Sequence, residues 1–246
     1  MNNIPRISLI IPAYNEEKYI GKTLSSVMKA KETYRKPYLI EVIVVNNCST
    51  DNTEKIARGF GAKVILEEER RIASVRNKGA EVAEGEIVGF LDADSWITPD
   101  MFNLIDEVMS SGKYIGGGTD IKLERNSLGI FCTYCITKFP FMWLLGITAG
   151  LLFTEKKTFE EIGGFDKSLY CAEDSMFALN LKKYGKQKGK KFKVITDAYI
   201  TSSARSFDKF GDWYYFKNIP KVLFKGGIGA FKNKDIVKKF WYDVDR

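Results

Sequence analysis

The sequence predicts an α/β fold with a mainly parallel central sheet and helices on both of its faces. Short, continuous apolar runs, typical of strands buried on both faces, alternate with longer segments whose apolar residues recur at helical spacing. Such alternation favours parallel strands joined by crossover helices. The 246 residues and the 45% hydrophobic content supply enough apolar side chains for a substantial core.

The first half of the chain carries the clearest alternation. Apolar runs predict strands at residues 7–11, 40–45, 64–66 and 87–91. Helical spacing after the first three strands predicts helices around residues 19–27, 49–61 and 72–83. A further helix opens at Thr98-Pro99-Asp100, because proline suits the first helical turn, where its missing N–H is not needed.

After residue 114 the pattern becomes less regular. It predicts strands at residues 114–123, 147–154 and 192–195, and a helix at 173–184. Because no Pro- or Ser-rich linker interrupts the chain, we expect one domain over residues 1–246. Its parts are a first half (residues 1–115), a second half (116–210) and a basic, aromatic C-terminal segment (211–246).

One apolar run, at residues 139–153, is long enough to raise the question of a membrane span. It contains Pro140, Gly146 and Gly150 and falls short of the ~20 apolar residues that a bilayer requires. We therefore expect a buried strand preceded by an apolar loop, with a loop that touches a membrane as the alternative.

The formal net charge of +7 is concentrated late in the chain. Such an excess favours anionic partners, although ordinary solubility explains it equally well. The first residues lack a basic region followed by an apolar run, so the expected location is the cytoplasm. The cysteines are expected to be structural, because the chain has no histidine that could complete a zinc site. They are Cys48, Cys132, Cys135 and Cys171.

Ligands of parallel sheets bind beyond the carboxyl ends of the strands, which directs attention to residues 12–16, 46–51 and 92–94. Asp92 and Asp94 follow a predicted buried strand, at a point where the chain turns and both carboxylates can approach one cation. Mg²⁺ and Mn²⁺ prefer oxygen ligands and often combine one or two carboxylates with substrate phosphates. The pattern therefore indicates a divalent metal site, with a polar turn before a helix as the alternative.

Several segments, in order, resemble glycosyltransferase family 2. They are residues 7–17 (ISLIIPAYNEE), 42–53 (VIVVNNCSTDNT), 76–80 (RNKGA), 85–94 (GEIVGFLDAD), 163–166 (GGFD) and 172–175 (AEDS). Each motif alone is common, but the ordered set is specific and extends over most of the chain. The resemblance implies a Rossmann-like fold of the nucleotide-diphospho-sugar transferase superfamily, called GT-A. It also implies that residues 1–115 form a nucleotide-binding half and residues 116–210 an acceptor half.

The resemblance also implies site residues. The implied donor-binding residues are Pro12, Ala13, Tyr14, Glu16, Asn46, Asn47, Arg76, Asp92, Ala93, Asp94 and Arg205. Asp92 and Asp94 would hold Mg²⁺ or Mn²⁺, and Asp174, beside Glu173, would be the catalytic base, with an ordinary pKa of about 3.9. The family usually has Asp where this chain has Asn46 or Asn47, and that difference leaves the identity of the donor's nucleotide base open.

Each of these roles has a structural alternative. Arg76 could instead be a surface residue paired with a glutamate in residues 67–69, and Arg205 could lie in a surface loop instead of contacting the diphosphate. Glu173 and Asp174 could simply favour the start of a helix, where acidic residues are stabilising.

The expected function is inverting, metal-assisted transfer of a sugar from a UDP- or GDP-sugar to an acceptor hydroxyl. The acceptor would be a carbohydrate or a lipid-linked molecule. A nucleotidyltransferase that makes the sugar nucleotide is one alternative, but residues 12–17 lack its Gly-rich loop. A non-catalytic sugar-nucleotide-binding protein is another, and the intact Asp92, Asp94 and Asp174 argue against it.

The basic C-terminal segment suggests a further partner. Its interleaved lysines and aromatic residues suit an anionic membrane at the inner face, or equally a helix packed on the domain. Nucleic acid is not an expected partner, because no recognised binding module is present.

Overall fold

The computed structural model describes residues 4–138, 144–148 and 150–226. One sheet of eight strands runs through these ranges. The strands are β1 (Ile7–Ala13), β2 (Ile40–Asn46), β3 (Lys63–Leu66), β4 (Ile87–Phe90), β5 (Ser95–Ile97), β6 (Tyr114–Leu123), β7 (Leu152–Glu155) and β8 (Lys191–Ser202). The helices are α1 (Ile20–Thr33), α2 (Thr53–Gly59), α3 (Ile72–Val82), α4 (Met101–Ser110), α5 (Leu128–Lys138), α6 (Lys156–Glu161), α7 (Glu173–Gln187), α8 (Arg205–Phe210) and α9 (Tyr214–Gly226).

The strand order is β3-β2-β1-β4-β7-β6-β8-β5. The first four of these strands are parallel, with Ile7 opposite both Ile40 and Ile87. β7 is antiparallel to both of its neighbours, β6 and β8 are parallel, and β5 is antiparallel to β8. The sheet is therefore mainly parallel, as predicted, and the carboxyl ends of β1, β2 and β4 lie at one edge.

Alternate residues of β1 reach two separate apolar cores, which is why its sequence is apolar apart from Ser8. Leu9 and its strand neighbours pack against helices α1 and α4, in a core that includes Leu24 and Phe102. Ile10 packs on the opposite face against α3 and α7, in a core that includes Phe177. Helices on both faces were predicted, and the two cores confirm that prediction.

The predicted strand at 147–154 is wrong in its first half, since β7 begins only at Leu152. Thr119 is the cause. Its carbonyl accepts a hydrogen bond from Thr148 Oγ1 at 2.8 Å, and its hydroxyl accepts one from the Leu151 N–H at 3.1 Å. A Cβ at Gly150 would lie 2.3 Å from the Thr119 carbonyl oxygen, so only glycine permits this close approach.

Other boundaries differ in the acceptor half. β8 extends to Ser202, well beyond the predicted residue 195, because it pairs with β6 as far as Ser202 and also with β5 over its last three residues. The prediction also missed β5 and the helices α5, α6 and α8. Residues 139–143 and 149 of the apolar run and 227–246 of the C-terminal segment lie outside the described residues.

Two further observations concern the cysteines and the membrane. Cys48, Cys132, Cys135 and Cys171 are all free thiols. None of the helices in the described ranges combines the length and the apolar character that crossing a bilayer requires.

Candidate active site

Polar side chains converge at the carboxyl edge of the parallel strands. Asp92 and Asp94 lie between β4 and β5, where the chain leaves the sheet and turns. Arg76 projects from α3, and Glu173 and Asp174 form the first turn of α7. Ala172, immediately before that helix, has φ +60°, a conformation that fixes how the acidic pair enters the site.

Arg76 joins two of these segments in what we call the Arg76 cluster: Arg76, Asp92 and Glu173. Its Nη2 donates to Asp92 Oδ1 at 2.7 Å, and its Nη1 donates to Glu173 Oε1 at 2.6 Å. The Arg76 side chain is buried, with only 7% of the residue exposed, and packs over the ring of Phe165. The alternative of a surface arginine paired with residues 67–69 is therefore wrong.

Burial shifts the ionisation of the two acids at the start of α7. Glu173 is 6% exposed, and this desolvation raises its pKa to about 7, although the attraction of Arg76 works in the opposite direction. Burial likewise raises the pKa of Asp174, even though part of that residue reaches solvent. The expected ordinary pKa of Asp174 is therefore wrong, because the sequence does not reveal how deeply this carboxyl group is desolvated.

Asp174 and Asp92 line the same small cavity, together with Arg76. The other lining residues are Phe90, Leu91, Gly150, Leu152, Phe165 and Ile200. Asp174 Oδ1 accepts a hydrogen bond from the Ser175 N–H at 2.6 Å, which fixes its carboxylate at the helix start. The fold thus brings Asp92 and Asp174, which are 82 residues apart in the sequence, together with Arg76 around one space between β4, α3 and α7.

A second group, which we call the Arg205 cluster, comprises Glu16, Asp94, Ser203 and Arg205. Arg205 donates to both oxygens of Glu16, at 2.6 and 2.8 Å, and its Nη2 lies 3.0 Å from Asp94 Oδ2. Ser203 Oγ donates to the same Asp94 oxygen at 2.8 Å. Arg205 therefore connects the loop after β1 to the loop after β4, and the alternative of a simple surface loop is wrong.

Asn46 and Asn47 are buried and hold the loops around them. Asn46 Nδ2 donates to Glu54 Oε2 at 2.8 Å, and its Oδ1 accepts from the Ser49 N–H. Asn47 Nδ2 donates to the carbonyls of Glu67 and Glu69. Both side chains thus shape the edge of the sheet, and contact with a nucleotide base remains a prediction.

The other predicted donor residues lie along the same edge. Pro12 and Ala13 end β1, and the Ala13 carbonyl accepts the Asn47 N–H at 2.8 Å. The Ala93 carbonyl accepts from Thr23 Oγ1 at 2.7 Å, which anchors the D-x-D turn to α1. The Tyr14 ring lies 4.7 Å from the guanidinium carbon of Arg70.

The two D-x-D carboxylates suit a metal that takes part of its coordination from the substrate. The described residues contain no cluster of three acidic, Cys or His side chains that alone could hold an ion. Among the described residues, however, Oδ2 of Asp92 and Oδ1 of Asp94 accept no hydrogen bond. The other oxygen of each carboxylate contacts an arginine, Arg76 for Asp92 and Arg205 for Asp94. Two free carboxylate oxygens match the hard-oxygen preference of Mg²⁺ and Mn²⁺, with phosphates completing the shell.

Sequence reasoning missed Ser203 and Phe165 as parts of the site. Ser203 lies in the segment before Arg205, but only the path of β8 brings it to Asp94. Phe165 belongs to the GGFD segment, and its ring stacks 4.5 Å from that of Phe177 beneath Arg76. A serine two residues before a predicted site arginine was the one available signal.

Comparison with known proteins adds a family and a fold. Residues 8–129 match the family model described as Glycosyl transferase family 2. The glycosyltransferase AglE of Haloferax volcanii is 39% identical over 99 residues, which cover 38% of this chain and 32% of AglE. The chain spans less than two thirds of the length of the curated relatives that it matches first.

Solved structures share the architecture over nearly the whole chain. Staphylococcus aureus TarS 1–349 in complex with UDP has a TM-score of 0.61 and 25% identity, covering 96% of this chain and 70% of that one. The mannosyltransferase PcManGT from Pyrobaculum calidifontis, in complex with GDP-Man and Mn²⁺, has a TM-score of 0.63 and 19% identity. That match covers 89% of this chain and 65% of PcManGT, and it supports the GT-A fold.

Proposed function

From the fact that the chain belongs, through residues 8–129, to glycosyl transferase family 2, we infer that it transfers a sugar from a nucleotide diphosphate to an acceptor hydroxyl. The observation that carries this proposal is the shared cavity of Asp92 and Asp174, with Arg76 joining Asp92 to the first turn of α7. Carboxylates would serve two tasks here: one would help to hold the cation that neutralises the leaving nucleotide, and the other would take the proton of the attacking hydroxyl. Asp92 and Asp174 line one cavity from different parts of the fold.

The donor would bind along the edge formed by residues 12–16, 46–47 and 92–94. The nucleotides bound in related structures differ: TarS was solved with UDP and PcManGT with GDP-Man. We propose a UDP- or GDP-sugar, held in the part of the domain before residue 116. Arg205 would contact the diphosphate through guanidinium N–H groups that Glu16 does not occupy, since a guanidinium suits phosphate oxygens.

A divalent metal would be held by Asp92 and Asp94. Bound there, Mg²⁺ or Mn²⁺ would supply Lewis-acid neutralisation of the charge on the departing nucleotide diphosphate. The buried Arg76 keeps Asp92 oriented, and Ser203 keeps Asp94 oriented, so the two carboxylates are positioned before any donor arrives.

Asp174 would act as the general base. A base works best when its pKa is close to the working pH, and burial raises the pKa of Asp174 towards that range. Its carboxylate would take the proton of the acceptor hydroxyl as that oxygen attacks the anomeric carbon. One base and direct displacement invert the anomeric configuration. Glu173, through its hydrogen bond with Arg76, would determine the total charge of the Glu173–Asp174 pair.

Two other functions remain as alternatives. A nucleotidyltransferase would need a Gly-rich loop after β1, where this chain has Pro12-Ala-Tyr-Asn-Glu16. A non-catalytic binding protein would bind the donor without turning it over. The acceptor half, residues 116–210, would set the acceptor, which we propose to be a carbohydrate or a lipid-linked molecule.

The basic C-terminal segment would bring the enzyme to an anionic membrane if the acceptor is lipid-linked. Sedimentation with vesicles of phosphatidylglycerol and phosphatidylcholine tests this. We expect binding that weakens as salt is raised. Absence of salt-sensitive binding would contradict membrane attachment while leaving the transfer proposal intact.

A panel of nucleotide sugars, tested with and without Mn²⁺, examines the main proposal. The correct donor should raise the melting temperature in a metal-dependent manner, because binding to the native state alone adds ~2.7 kcal/mol at a concentration of 100 Kd. With that donor and an acceptor, NMR of the product should show the inverted anomer. Metal-independent stabilisation, or pyrophosphate release from a nucleoside triphosphate, would contradict the proposal.

A further inference from the structure

Arg205 is the partner of Asp94 in this structure, and Glu16 fixes Arg205 in place. Glu16 is 3% exposed, and both of its carboxylate oxygens accept hydrogen bonds from Arg205. The guanidinium also lies 5.0 Å from the ring of Tyr19. These contacts stabilise the Arg205 cation in place of solvent. Its Nη2 lies 3.0 Å from Asp94 Oδ2.

The charge of Arg205 is permanent. Burial lowers its pKa, but the hydrogen bonds to Glu16 and the negative charge of Asp94 more than offset that effect, so the pKa lies above its ordinary value. Asp94 is therefore a carboxylate with a fixed internal counter-ion, as Asp92 is through Arg76.

This arrangement works against a second cation at the same carboxylate. A divalent ion beside Asp94 would lie within a few ångströms of the Arg205 guanidinium, and the side chains of Arg205 and Asp94 are only 16% and 15% exposed. Repulsion between like charges at such distances is strong where screening is weak. A nucleotide diphosphate changes this balance, because its phosphates supply negative charge for both the ion and Arg205.

We propose that Arg205 is an internal counter-cation that keeps a divalent metal off Asp94 until a nucleotide diphosphate is present. Metal and nucleotide then bind cooperatively, and each raises the affinity for the other by the same factor. The inference rests on the proposed function, since it requires metal binding at the D-x-D carboxylates.

Mn²⁺ binding followed by electron paramagnetic resonance tests the proposal, because the free aqueous ion gives a signal that bound ion loses. The test variant is the double replacement Glu16→Gln with Arg205→Met. Arg205→Met alone would remove the cation that binds both carboxylate oxygens of the buried Glu16, which is strongly destabilising. Glu16→Gln alone is the first control, because it keeps Arg205, and Arg6→Met is the second, because Arg6 pairs with Glu86 and Asp106 outside the site.

Without nucleotide, the double variant should bind Mn²⁺ about tenfold or more tightly than the wild type, since it lacks the competing cation. Glu16→Gln and Arg6→Met should show no such gain. Adding UDP or GDP should strengthen Mn²⁺ binding to the wild type and much less to the double variant. Replacing Asp94 by Asn in the double variant should remove the gain.

Three results would overturn the inference, and they differ in what they say of the proposed function. Wild type and double variant could bind Mn²⁺ equally well without nucleotide, while nucleotide still enhances binding; then only the role of Arg205 fails. The wild type could bind Mn²⁺ equally well with and without nucleotide, which removes cooperativity but keeps the metal. If no sample binds Mn²⁺ with either nucleotide, the metal-assisted function fails as well.

Discussion

Replacing Glu173 by Gln should change the pH dependence of stability in a defined direction. Glu173 is buried against Arg76, and burial raises its pKa from 4.5 to about 7. A folded state that binds this proton more tightly than the unfolded chain loses stability as pH rises through that interval. At 1.36 kcal/mol per pH unit, the wild type should lose ~3 kcal/mol from this one group. The Gln variant keeps the shape of the side chain and lacks that loss.

The assay is urea unfolding of both proteins at pH 4.5 to 8, at constant ionic strength and without divalent metal. The difference in unfolding free energy, variant minus wild type, should increase by up to ~3 kcal/mol across this range. The absolute difference at pH 4.5 includes the altered hydrogen bond to Arg76, so only the change with pH is diagnostic. Glu81→Gln, at an exposed residue paired with Lys78, should show no such change. A constant difference between Glu173→Gln and wild type would refute the reasoning.

Other perturbations probe the scaffold. Asp106 accepts hydrogen bonds from Arg6, Arg35 and Tyr34, which lower its pKa to about 2 despite the opposing effect of burial. Asp106→Asn should therefore cost ~1–2 kcal/mol of unfolding free energy at pH 7, after allowance for solvent screening. That cost should shrink as pH falls from about 4 towards 2, where the wild-type carboxylate becomes protonated; equal costs at pH 7 and pH 3 in urea unfolding would contradict the ion-pair explanation. Gly117→Ala should destabilise severely, because its Cβ would lie 2.2 Å from the Lys193 carbonyl oxygen in the adjacent strand, whereas Gly59→Ala, with no atom within 4 Å, should be neutral or slightly stabilising. Equal melting temperatures for these two glycine variants would show that the β6–β8 contact is less close than described.

Much of the fold could be predicted because the first half of the sequence is locally consistent. β1 is apolar apart from Ser8, β2 is apolar apart from Glu41 and Asn46, and the helices after them carry apolar residues at helical spacing. The predicted strand at residues 114–123 matches β6. The boundary of β7 could not be predicted, because it depends on hydrogen bonds from residues 148 and 151 to Thr119. Such a tertiary contact leaves no periodicity in the sequence.

The site shows the same division between local and long-range information. Strand ends and motif order led to Asp92, Asp94 and Asp174, since ligands of parallel sheets lie beyond the carboxyl ends of strands. The long-range contacts of the two arginines that pair with Asp92 and Asp94 could not be predicted from the sequence. Arg205 meets Glu16 across 189 positions of sequence, and Arg76 meets Glu173 across 97. The raised pKa values of Glu173 and Asp174 follow from burial, which only the packed structure defines.

Asp174→Asn tests the central claim most directly, because it removes the proposed base and keeps the size of the side chain. Transfer should be measured with the donor and acceptor identified from the nucleotide-sugar panel, beside the metal-dependent thermal shift caused by that donor. We expect the thermal shift to be retained and transfer to fall by ~10²–10⁴-fold, the usual contribution of a general base. Transfer at the wild-type rate would contradict the assignment of Asp174 and the reaction proposed for this cavity.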